Sequence, residues 1–198
     1  MQMPTNRKDS GFTLIEMAIV LVIIGLIIGA VLKGQDLIQN ARAKKFVNFA
    51  RAAEIAQWTY LDRKGHFNGD NDTVPDGAIE SAPDWTGFTN EPADTLNLGS
   101  FNYDLAYGCY NSSGIPRNFI LINPTSGSAF GEDELVFLES LDTAIDGVSN
   151  GTGGSVRGSD TAIDLTASGS HVISTFTNGT YSAGKTNAIL YFFDRKID

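Results

Sequence analysis

Apolar residues fill positions 12–32 almost without a break: FTLIEMAIVLVIIGLIIGAVL has only Thr13 and Glu16 as clearly polar members. As an α-helix these 21 residues span about 31 Å, enough to cross a bilayer core. From Lys33 to Lys64 the solid run gives way to helical spacing without a proline. Leu37, Ala41, Phe46, Phe49, Ala50, Ala53, Ala56, Trp58, Tyr60 and Leu61 trace a broad apolar stripe. Gly65 is a plausible stop, with Arg63 and Lys64 suited to the negative end of a helix. The pattern predicts one continuous helix from about Phe12 to Lys64. Residues 12–32 are its transmembrane half and 33–64 its amphipathic continuation. Gly25-x-x-x-Gly29 inside it matches the small-residue pattern that lets helices approach closely.

After Gly65 the pattern changes to short apolar runs bounded by Gly, Asn, Ser or Pro. Phe101–Tyr107, Asn118–Ile122, His171–Thr177 and Asn187–Phe193 are the predicted strands. In residues 132–146, Leu135, Leu138, Leu141 and Ile145 keep helical spacing, acids open the segment and Gly147 closes it, so a short helix is expected. Residues 147–170 are rich in Gly, Ser and Thr and read as loop. A long helix packed on a small antiparallel sheet makes the expected fold α+β, with residues 65–198 as a β-rich head.

Composition narrows the chemistry. The 198 residues carry a net charge of −9, which disfavours nucleic acid as a partner. Cys109 is alone, so neither an intramolecular disulfide nor an all-cysteine metal site can form; a buried, inert thiol is its expected role. His66 and His171 are too few for a multi-histidine centre. No constellation resembles a catalytic one, and no enzyme activity is expected. Trp58, Tyr60 and Phe67 read as core. Charge is also unevenly placed: residues 33–64 hold seven basic and three acidic residues, whereas residues 65–198 hold five and 18. A basic stalk and an acidic head fit contact between copies, and a solvated helix face beside a soluble surface fits the same counts.

Arg7 and Lys8 before the apolar run place the N-terminus in the cytoplasm and the head outside. Ile28-Gly29-Ala30 is a passable secretory cleavage site, but the run is long for a signal core and the helical pattern continues past it. Glu16 is costly near the end of a membrane helix, and either reaches headgroups or keeps a partner.

The segment Lys8–Glu16, KDSGFTLIE, resembles the cleavage and methylation signature of class III signal peptides in type IV prepilins and pseudopilins. The likeness covers roughly residues 1–40. It implies a leader, residues 1–11, removed between Gly11 and Phe12 by a membrane prepilin peptidase that also methylates the Phe12 amine. The mature chain would reside in the inner membrane until an assembly platform draws it into a helical filament of copies of itself or related pilins. That filament would be an extracellular type IV pilus. A type II secretion pseudopilin in a periplasmic pseudopilus, or a low-copy minor pilin, is the alternative. A rival of another class is a membrane-tethered binding module that never polymerises. In a filament, buried Glu16 needs a cation, and the Phe12 amine of a neighbouring subunit is the candidate. Two departures from many pilins are Lys33-Gly34 where a helix-softening proline is common, and the impossibility of a C-terminal disulfide.

One loop offers hard oxygen ligands. In residues 68–80, NGDNDTVPDGAIE, the side chains of Asp70, Asp72, Asp76 and Glu80 are of the type calcium prefers. Val74 at the fifth position and a displaced glycine break the match to an EF-hand, and an ordinary Asp/Asn/Gly turn explains the same residues. Apart from calcium here, no cofactor is expected.

Overall fold

The computed structural model describes residues 11–70, 73–89, 91–112, 114–165 and 170–194. The chain divides into two compact units, residues 1–41 and 42–198. Helix α1 runs unbroken from Leu14 to Lys64, including through Lys33-Gly34. Its start is two residues later than the apolar pattern suggests, because Thr13 takes the capping position. Its end is as expected: Gly65 adopts φ +84° and returns its N–H to the Leu61 carbonyl, a left-handed stop that suits glycine.

In the first unit no described residue of the helix is buried. Leu14 is 92 % exposed, and its apolar neighbours through Leu32 are exposed with it. The helix is long and apolar enough to cross a membrane.

Among the described residues the second unit is built on a sheet of seven strands: β1 (Thr95–Asn97), β2 (Asn102–Tyr110), β3 (Arg117–Pro124), β4 (Val156–Ser159), β5 (Val172–Ile173), β6 (Asn178–Gly179) and β7 (Ala188–Phe192). Their order is β1-β2-β3-β7-β4-β6, all antiparallel, with β5 pairing parallel to β2 at Cys109 and Tyr110. Helix α2 spans Leu135–Asp146 after a short 3-10 turn, and Gly147 at φ 78° ends it.

Residues 42–64 of α1 lie against one sheet face. Ala43, Phe46, Ala50 and Ala53 recur every three or four residues and are buried, and the three alanines keep the backbone close to the strands. Phe46 meets Tyr103 edge-on at 5.1 Å and stacks on Phe137 of α2 at 6.1 Å. Ile120, Ile122, Ile189 and Tyr191 complete this layer, while Phe119, Leu121, Leu190 and Phe192 point to the opposite face. Alternate residues of β3 and β7 are therefore buried on both sides, at roughly 1.5–3 kcal/mol for each large apolar side chain. Gln57 is also fully buried. Its amide donates to the Asn68 carbonyl and its oxygen accepts the Asn68 N–H, fixing helix to loop.

Several expectations need correction. Residues 156–159 form β4 inside the segment read as loop, because their ladder to β7 supplies what composition does not. The strand expected at 171–177 shrinks to Val172–Ile173, since only those residues reach β2. Trp58, read as core, is 39 % exposed and touches Phe67 and Phe193 edge-on. Leu37 in the predicted stripe is 61 % exposed. On the second unit's share of α1, basic side chains serve its own head: Lys45 Nζ donates to the Asn97 carbonyl, Arg51 to the Ala144 carbonyl, and Arg63 lies 5.2 Å from the Phe88 ring centre.

Candidate functional site

The residues singled out for processing and assembly sit at the start of α1. Gly11 is exposed, and a Cβ added there would meet nothing within 4 Å. Nothing in the described fold requires glycine at that position. Phe12 is 84 % exposed, so neither its ring nor its surroundings are committed to a core.

Thr13 and Glu16 interlock. The Thr13 N–H donates to Glu16 Oε2 at 2.7 Å and the Thr13 hydroxyl donates to the same oxygen at 2.8 Å. In return the Glu16 N–H approaches Thr13 Oγ1 at 3.4 Å. This is a capping box: two of the helix's unpaired N–H groups are satisfied reciprocally, and a negative charge rests near the positive end of the dipole. Glu16 Oε1 accepts no hydrogen bond among the described residues. The box uses the Thr13 N–H, which belongs to the Phe12–Thr13 peptide bond. Cleavage after Gly11 would leave it intact. The role of Thr13 went unassigned in the sequence, although Thr-x-x-Glu before an apolar run is its signature.

Gly25, Gly29 and Gly34 cost about 1 kcal/mol each relative to alanine in a helix interior. A Cβ at any of them would meet nothing within 4 Å, so the described fold gains nothing from their smallness.

The acidic loop is arranged differently. Asp70, 6 % exposed, accepts the N–H groups of Asp76 at 3.4 Å and Gly77 at 3.0 Å, and Asp76 accepts that of Ala78 at 2.9 Å. Glu80 takes part through its backbone, donating to Gly69 and accepting from His171. Asn118 of β3 pins the loop to the sheet, accepting from Ile79 N–H and donating to the Gly77 carbonyl. Asp72 lies outside the described residues, as do the leader residues 1–10. Among the described residues no group of three or more His, Cys, Asp and Glu side chains is placed to hold a metal ion.

Cys109 is buried, and desolvation pushes its thiol up to about 11, so it stays protonated and unreactive. The His171 ring holds the Tyr107 carbonyl through Nδ1 at 2.6 Å.

An exposed apolar helix long enough to cross a membrane, with a capped, carboxylate-bearing start, fits membrane anchoring. Residues 6–32 match the prokaryotic N-terminal methylation motif, the class III signal peptide motif of type IV pilins and pseudopilins. Gly11, Phe12 and Glu16 all fall within the match. No curated protein and no solved structure matches the chain. The motif points to a structural subunit of the pilin or pseudopilin kind.

Proposed function

We propose that the chain is a structural subunit of a type IV pilus-like filament, cut between Gly11 and Phe12, methylated at Phe12 and polymerised through α1. The observation that carries this reading is the wholly exposed apolar stretch from Phe12 to Leu32, continuous with the methylation motif. Such a surface needs lipid before assembly and neighbouring helices after it, once water surrounds the filament. The glycines, idle within the chain, let those helices approach. Glu16 Oε1 is the acceptor left for the Phe12 ammonium of an adjacent subunit. A carboxylate buried without that cation would cost several kcal/mol, so the pair sets axial register. The head, residues 65–198, is then displayed on the filament.

The test replaces Gly25 and Gly29 together by leucine. Leucine favours both helix and membrane, so insertion and processing continue. Filaments sheared from such cells are expected to fall to background. A normal yield of filaments containing the substituted chain contradicts the packing role of the glycines, and filaments that lack the chain altogether contradict the polymerising subunit.

A further inference from the structure

Between residues 82–88 and 91–94 and the outer edge of β2 lies a cleft of about 540 Å³. The edge of β2 is interrupted there. The Leu105 N–H donates to the Asp94 carbonyl and the Cys109 N–H to the His171 carbonyl, and Tyr107 falls in the gap between β1 and β5. Strand alternation turns the Tyr107 N–H to the same edge, where no described residue accepts it. The Tyr107 carbonyl is taken by His171 Nδ1 at 2.6 Å. A carbonyl only accepts, so in the neutral ring Nδ1 carries the proton and Nε2 keeps its lone pair. His171 is 7 % exposed; Nε2 has no partner among the described residues and is not sealed off, so it opens on the cleft that the residue lines. Trp85, Phe88 and Tyr107 make an aromatic wall, the Trp85 ring centre lying 6.0 Å from that of Phe88 and 5.9 Å from that of Tyr107. The Asp84 backbone exchanges hydrogen bonds with the Asn68 side chain, and the Thr86 hydroxyl and N–H donate to Asp84 Oδ1 and hold its carboxyl below the usual range. Glu91 and Asp94 also line the cleft, are exposed, and accept no side-chain hydrogen bond among the described residues. No lysine or arginine lines it; Arg63 lies over the Phe88 ring, outside the cleft.

We infer that this cleft binds an organic cation, an ammonium or guanidinium group, between the carboxylates of Asp84, Glu91 and Asp94, the aromatic wall and His171 Nε2. Three carboxylates with no lining lysine or arginine set the sign of the charge. The rings favour a cation held against them, and the Nε2 lone pair accepts one of its N–H groups. Among the described residues no three His, Asp and Glu side chains are placed to hold a metal ion, whereas an organic cation spreads its donors over several acceptors. The group can come from a free amine or from an arginine or lysine residue of a peptide. Only the peptide also brings a carbonyl for the Tyr107 N–H. The site is independent of whether the chain polymerises.

The experiment uses the full chain in detergent with Trp58→Phe, which leaves Trp85 as its one tryptophan. It is titrated with ethylguanidinium and with arginine capped at both ends, and tryptophan emission is read. Both cations are expected to give a saturating change, and capped glutamate none. Tighter binding of the capped arginine marks a peptide residue as the source and tighter binding of ethylguanidinium a free amine; either supports the site. Glu91→Gln with Asp94→Asn removes two exposed charges that the fold does not use, and is expected to weaken binding about tenfold. Glu132→Gln with Asp133→Asn removes the same charge outside the cleft and is expected to leave binding unchanged. No response to either cation, equal affinity for capped arginine and capped glutamate, or equal weakening by the two double variants overturns the site.

Discussion

Thr13 and Glu16 hold each other: the Thr13 N–H and hydroxyl both donate to Glu16 Oε2, at 2.7 and 2.8 Å. The carboxylate therefore has two separable jobs, closing the helix start and offering charge. Glutamine can do the first, since Thr-x-x-Gln is also a capping box, but not the second. Glu16→Gln is expected to insert in the membrane, to be cleaved, and to yield no filaments. Glu16→Ala should in addition loosen the first turn by about 1 kcal/mol, seen as faster amide exchange there. Filaments from Glu16→Gln at wild-type yield would show that the charge is not needed.

Gly11 faces open space, so a larger side chain there has no effect on the described fold. On the proposed reading its effect comes through the peptidase. Gly11→Leu is expected to accumulate as an uncut precursor, resolved on a gel by the mass of the leader. Normal processing would remove Gly11 from the cleavage site.

Phe46 is the hinge of the packing between α1, β2 and α2, with no exposed surface. Phe46→Ala should lower head stability by about 3–5 kcal/mol. Gln57→Leu leaves the Asn68 N–H and carbonyl unpaired and should cost about 1–3 kcal/mol. Thermal melts of the two variants check the order: Phe46→Ala is the lower. The reverse order would mean that the sheet–helix layer is looser than its geometry.

Burial raises the Cys109 thiol from an ordinary 9.0 to about 11. The folded chain then keeps a proton that the unfolded chain releases, so stability falls as pH rises. This contribution is complete below pH 9.0 and is lost as pH climbs through about 11. Burial pushes Tyr103, Tyr107, Tyr181 and Tyr191 upward as well, deepening the alkaline loss. Melting temperature should drop across that window, and maleimide should label Cys109 only after unfolding. Rapid labelling of the native chain would place the thiol at the surface.

The elements legible in the sequence are those whose apolar residues do the packing. Asn118–Ile122 and Asn187–Phe193 were recognisable because β3 and β7 are covered on both faces and so read as unbroken apolar runs. The short strands β1, β4 and β6 were not: Val156–Ser159 and Asn178–Gly179 owe their pairing to neighbours rather than to composition. The same limit applies to single carboxylates. Glu16 stands out as a charge in an apolar run, whereas nothing in the sequence marks Asp142 and Asp146 of α2. They turn inward because the 147–155 loop folds back and presents its amides to them.

The most direct test is mass spectrometry of the N-terminal peptide of this chain in filaments sheared from the cell surface. The account predicts an abundant peptide that begins at Phe12 with a methylated amine. A chain that still carries Met1–Gly11, or that is absent from the sheared fraction while the membrane holds it, would contradict a surface pilus subunit.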